Sequence, residues 1–132
     1  MRVLHVNTSD RDGGAAIAAM RIHQGLRAIA TQSVFLAQKN LSGDEDVVFP
    51  KGKKSRLSRI EPLIREVFHA GTSHPWSMGY APFDVVSSFL SEASFDVIQL
   101  HWINGGFLDI ARLKQIKTPM VWLLHDSWPF TG

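Results

Sequence analysis

Apolar and polar positions alternate in two different rhythms at the start of this chain. Residues 2–6 (RVLHV) are β-rich and apolar apart from Arg2 and His5, and the run ends at Asn7. That reads as a strand followed by a loop, TSDRDGG. The next stretch, AAIAAMRIHQGLRAIA, sets Ile17, Met20, Leu26 and Ile29 among alanines, the spacing and composition of a helix, with the small Ala15, Ala16 and Ala19 letting it lie close to the sheet. SVFLAQ then returns to a short strand. A β-loop-α-β order within the first 38 residues is the opening of a parallel α/β sheet.

The far end repeats the pattern. FDVIQLHW predicts a strand from about Asp96 to His101, INGGF a turn, and LDIARLKQI a short helix with Leu108, Ile110, Leu113 and Ile116 as its apolar positions. TPMVWLLHD is a nearly continuous apolar run, the kind expected of a strand buried on both faces. With strands in the order 3-2-1-4-5, the ends of strands 1, 4 and 5 lie side by side. The expected fold class is therefore α/β: a Rossmann-like three-layer α/β/α sandwich with a mostly parallel sheet.

The middle has less rhythm. NLSGDEDVVFPKGKKS mixes turn residues with one short strand at Val47–Phe49. RLSRIEPLIREVFH puts Leu57, Ile60, Ile64 and Val67 on one helical face, where Pro62 must start, kink or split the helix. AGTSHPWSMGYAPF carries no periodicity and reads as an ordered loop, and DVVSSFLSEA as a short helix.

Composition narrows the classes. At 132 residues and 45% hydrophobic content the chain suits one domain with its own core. A formal net charge of +2 gives no argument for a nucleic-acid partner. Cysteine is absent, which removes disulfides and thiolate metal sites and fits a reducing compartment. There is no secretory signal pattern and no run of membrane-spanning length, so a cytoplasmic domain is expected. Six basic residues against Glu61 between Lys51 and Arg65, interleaved with Leu57, Ile60 and Ile64, allow either a solvated helix face or peripheral contact with an anionic membrane or acceptor.

The candidate chemistry gathers at predicted strand ends. Gly13 and Gly14, between strand 1 and its helix, let backbone come close to a ligand and aim the first helix amides at it, which suits phosphate. G-x-G-x-x-G is absent, and an ordinary β-to-α turn with Asp12 or Ser9 near the cap accounts for the same residues. His101 and His125 each sit at the C-terminal end of a predicted strand. In open parallel sheets ligands bind outside the carboxyl ends of the strands, although a single strand-end histidine is more often structural. The six histidines show no H-E-x-x-H or other close ligand spacing, so no metal is expected, and no G-x-S-x-G elbow supports a hydrolase.

Three pieces, VLHVNTSDRDGGAAIAAMRIHQGLR, DVIQLHWINGGFLDIARL and TPMVWLLHDSWPFTG, resemble the N-terminal domain of family 4 glycosyltransferases, which have the GT-B fold. The bacterial subgroup that builds surface polysaccharides is the most similar. The pieces occur in the family's order over roughly half the chain, whereas about Asn40 to Ala93 aligns with nothing in the family. The resemblance implies a retaining transferase that moves a sugar from a nucleotide-sugar donor to a glycan or lipid-linked acceptor without a metal or other cofactor. It implies that this is the acceptor-side domain, inactive by itself. A C-terminal donor-binding domain with a paired-glutamate motif is expected in relatives and is not contained in these residues. It further implies that Gly13 and Gly14 approach phosphate, that His125 hydrogen-bonds the transferring sugar, and that Asp126 shapes that loop. His101, Trp102 and Asn104 would line the cleft. The alternative is a non-catalytic α/β binding module, or a membrane-anchoring partner of a separate donor-binding chain. Trp102, Phe107, Trp128 and Phe130, near strand ends that a second domain would cover, lead to an expectation of self-association.

Overall fold

The computed structural model describes residues 1–48, 86, 89, 90, 94–105 and 107–131. The expected central helix around Pro62, the loop after it and the basic segment Lys51–Arg65 lie outside the described residues. So does the side chain of Trp128.

Five parallel strands form one sheet in the order β3-β2-β1-β4-β5. They are β1 (Arg2–Ser9), β2 (Gln32–Lys39), β3 (Val47–Val48), β4 (Val97–Leu100) and β5 (Met120–Trp122). Helix α1 (Gly13–Ala28) joins β1 to β2, a 3-10 helix (Ile110–Gln115) joins β4 to β5, and a four-residue α2 (Trp128–Thr131) follows β5. Strand 1 therefore lies beside strand 4, and strand 4 beside strand 5, the adjacency the two βαβ patterns imply.

Alternation within the strands decides what each face of the sheet carries. Leu4 and Val6 of β1, Leu36 of β2, and Ile98 and Leu100 of β4 point to one face. There they form a buried cluster with Val86, Leu90, Phe95, Ile103, Phe107, Leu108 and Ile116. Val86, Phe89 and Leu90 are helical, in agreement with the short helix expected over 84–93. His5, Phe35 and Ala37 fall on the opposite face, and α1 covers it with Ala19 and the half-buried Met20. Helical or 3-10 segments thus pack on both faces of the sheet, as in a Rossmann-like α/β fold.

Several expectations need correction. The buried residues of α1 are Ala16, Ala19 and His23, whereas Ile17 and Ile29 are exposed. Small side chains bring the helix axis close to the sheet, as expected of Ala16 and Ala19, while Met20 and Leu26 are half-buried and Ile17 and Ile29 turn outward. The apolar run at β5 is not buried on both faces among the described residues. Only Met120–Trp122 is strand, and Val121, Leu123 and Leu124 are exposed, because β5 pairs with β4 alone and forms the sheet edge. The short helix expected in LDIARLKQI is present as a 3-10 helix, Ile110–Gln115, with the Asp109 side chain accepting from Ala111 N–H at 3.0 Å. Phe107 is not on a sticky surface: it is 3% exposed, inside the larger core cluster.

Candidate functional site

Because all five strands run the same way, the loops after β1, β4 and β5 leave one edge of the sheet. The ladder continues past the strand ends and fixes them. His101 N–H donates to Val6 carbonyl at 3.0 Å, Thr8 N–H to Trp102 carbonyl at 2.8 Å, and Leu123 N–H to Leu100 carbonyl at 2.9 Å. The residues that follow each strand are therefore held by the sheet itself.

The central feature is a row of imidazoles on the α1 face. His5 lies on β1, whose odd-numbered side chains point there, and His101 comes one residue after β4. Their rings are stacked with centroids 5.5 Å apart, and His5 Nδ1 lies 3.2 Å from His101 Nε2. His101 Nδ1 in turn lies 3.2 Å from His125 Nε2, with centroids 5.4 Å apart. At the inner end, His23 of α1 meets His5 edge-on at 5.8 Å, and its Nδ1 lies 2.7 Å from Ser33 Oγ. His5, His23 and His101 are buried and His125 is exposed, so the row runs from the core to the surface at the predicted ligand edge.

Burial governs its electrostatics. Desolvation, reinforced by His23, pushes the His5 imidazole down to about 4. Desolvation, reinforced by His5 and His125, pushes His101 down to about 3. His23 is lowered too, by burial first and then by Arg27, against the opposing pull of Asp44 and Asp46. The inner rings are neutral at neutral pH, so each brings one N–H and one lone pair to the row. His5 Nε2 and His23 Nε2 are buried without a hydrogen-bond partner. The nitrogens face one another pairwise instead of converging on a point. No group of three or more metal-ligating side chains among the described residues is placed to hold an ion.

Polar side chains brace the loop after β4. Asn7 Oδ1 accepts from Trp102 N–H at 2.7 Å, and Thr8 Oγ1 donates to Asn104 carbonyl at 2.7 Å. Trp122 Nε1 donates to His101 carbonyl at 2.9 Å. Asn104 is buried with its Oδ1 lacking a partner, and Gly105 turns the chain at φ +77° against the Thr8 methyl. Trp102 Nε1 donates to Asp126 Oδ2 at 3.1 Å, tying the loop after β5 to the one after β4. Trp102, Asn104, His101, His125 and Asp126 thus form one connected group.

Gly13 and Gly14 belong to the loop after β1. Ser9 Oγ accepts from Asp12 N–H at 2.9 Å, which closes the turn before the helix. Asp12 occupies the N-cap position without a side-chain cap bond. Gly13 has φ +86°, a backbone conformation that disfavours any side chain there. Both glycines are exposed, and a Cβ at either would meet nothing within 4 Å. The turn chemistry around Ser9 accounts for the glycine at position 13. Asp10, buried beside it, accepts from the N–H groups of Leu41 and Ser42, each at 2.8 Å, and anchors the loop after β2. Burial works against its ionised form. The hydrogen bonds from Ser42 and from those amides outweigh it and hold the carboxyl below its ordinary range.

His5 and His23 were not among the candidate residues. The available signal was parity: in β1 the odd positions share a face, and the residue one past β4 has that same parity across the β1–β4 pairing of His5 with Gln99. No protein-family model, curated protein or solved structure matches this chain.

Proposed function

We propose that this chain is the acceptor-side domain of a retaining, GT-B-type glycosyltransferase that passes a sugar from a nucleotide-sugar donor to a glycan or lipid-linked acceptor. The observation that supports it best is the exposed His125 at the end of the histidine row, beside Trp102 and Asp126 on the carboxyl edge of the sheet. A polar imidazole next to an indole is a surface on which a sugar ring can stack and be hydrogen-bonded. Gly13 and Gly14, on the neighbouring loop, offer backbone amides to phosphate. His125 and Asp126 take the catalytic roles, with His101, Trp102 and Asn104 positioning substrate. The donor-binding domain of such an enzyme would close over this edge, and no metal or cofactor is called for.

Titrating a nucleotide sugar and short glycans into the 15N-labelled chain tests this. Shifts at Gly13, Gly14, Trp102, Asn104 and His125 in the millimolar range are expected. Shifts confined to other faces, or none at all, count against the reading.

A cytoplasmic domain, peripheral to the inner face of the membrane, is the setting this reading suggests. Among the described residues no helix is long and apolar enough to cross a membrane. The same edge carries exposed Leu123, Leu124 and Phe130, the last 77% exposed, with Val121 on β5. Apolar surface of this kind drives association. The isolated chain is expected to self-associate, and concentration-independent monomer mass in light scattering would contradict that.

A further inference from the structure

We propose that His5 and His101 are positioning residues that lock His125 in its Nδ1–H form, so that the site presents an N–H donor and takes a ligand oxygen as acceptor. The acceptor class is a sugar hydroxyl or a phosphoryl oxygen. The ligand class rests on the glycosyltransferase reading; the lock itself does not.

The argument is one of counting protons. With one proton on each ring, the row of three carries three N–H groups, and each of the two 3.2 Å contacts needs one donor and one acceptor. Only two arrangements satisfy both contacts. In the outward arrangement His5 Nδ1–H donates to His101 Nε2, His101 Nδ1–H donates to His125 Nε2, and His125 keeps its proton on Nδ1. In the inward arrangement every proton sits on Nε2, and His125 presents a lone pair.

The two differ at their ends. The outer end faces solvent, and water satisfies either a donor or a lone pair there. The inner end is His5 Nε2, buried with no partner. The inward arrangement would strand an N–H at that point, whereas the outward one leaves only a lone pair. Orphaned buried N–H groups are the rarer of the two in folded proteins, so the outward arrangement prevails. Burial keeps His5 and His101 neutral, so neither of these two rings takes up an extra proton that would break the row near neutral pH. Imidazole in water favours the opposite, Nε2–H form, which makes the expected state diagnostic.

Long-range 1H–15N correlation of the labelled chain at pH 7.5, without any ligand, reads the tautomers directly. Pyrrole-like Nδ1 and pyridine-like Nε2 signals are expected for His5, His101 and His125. An Nε2–H form at His101 or His125 overturns the proposal. His5→Leu removes the first donor, and His125 should then revert largely to Nε2–H. His5→Asn places an amide N–H near the position of Nδ1 and should restore the lock. Unchanged tautomers in a folded His5→Leu chain overturn the role of His5. If that variant does not fold, the wild-type spectrum alone decides. A locked His125 in a chain that binds no sugar or nucleotide would leave the lock standing and remove the glycosyltransferase reading.

Discussion

Acidification from pH 7 to about 4.5 is expected to remove on the order of 5 kcal/mol of folding stability, enough to unfold a domain of ordinary stability. His5 and His101 are the cause. Their folded values, about 4 and about 3, lie below the ordinary 6.5, so below pH 6.5 the unfolded chain binds protons that the folded chain refuses. Stability is complete above 6.5 and falls with pH, by about 1.4 kcal/mol per pH unit for each ring, until the folded values are reached. The groups facing these rings do not reverse the effect. His23 acts on His5, and His125 on His101, in the same direction as burial. Arg27 opposes protonation of His23, and only Asp44 and Asp46 favour it. Asp10 is held below the ordinary carboxylate value of 3.8, so its contribution is lost at lower pH and does not enter this window.

Chemical denaturation at half-unit steps from pH 7.5 to 4.5, followed by circular dichroism, measures the slope. His5→Asn should lower it by about one proton, because an amide has nothing to titrate. A stability that stays flat between pH 6.5 and 5 would show that the buried rings are not neutral in the native state.

The sheet was legible in the chain, and its chemistry only in part. β1, α1, β2 and β4 follow from local rhythm, because short apolar runs and an alanine-rich helical stretch mark them whatever they pack against. β5 misled because a continuous apolar run signals burial without saying what supplies it. Met120, Val121 and Leu123 have β4 on one side and the sheet edge on the other. The inner face of α1 was legible in its small residues, since Ala16 and Ala19 are fully buried where helix meets sheet. His101 and His125 could be marked because both follow a strand. His5 sits inside β1, where a histidine looks like any polar interruption. Its contact spans 96 residues and exists only once β1 and β4 pair in parallel with His5 opposite Gln99.

Replacing His125 separates the site from the fold. Its ring is exposed and takes part in one hydrogen bond, with His101 Nδ1, an atom that water can reach once the outer ring is gone. His125→Ala should therefore leave the melting temperature nearly unchanged. His101→Ala is the contrast. It removes a buried ring that His5 and His125 both contact and should destabilise the chain by about 2–4 kcal/mol. In the two-domain transferase we propose, His125 donates to the sugar most strongly as the donor bond breaks, when charge develops and water is excluded. Loss of such a preorganised donor costs roughly 2–4 kcal/mol in the barrier, or about 10²–10³ in turnover. Sugar-transfer rates beside melting curves for wild type, His125→Ala and His101→Ala provide the comparison. Normal turnover by His125→Ala makes the exposed imidazole a bystander. A melting temperature that drops as far as that of His101→Ala makes it structural, and either result removes His125 from the catalytic role.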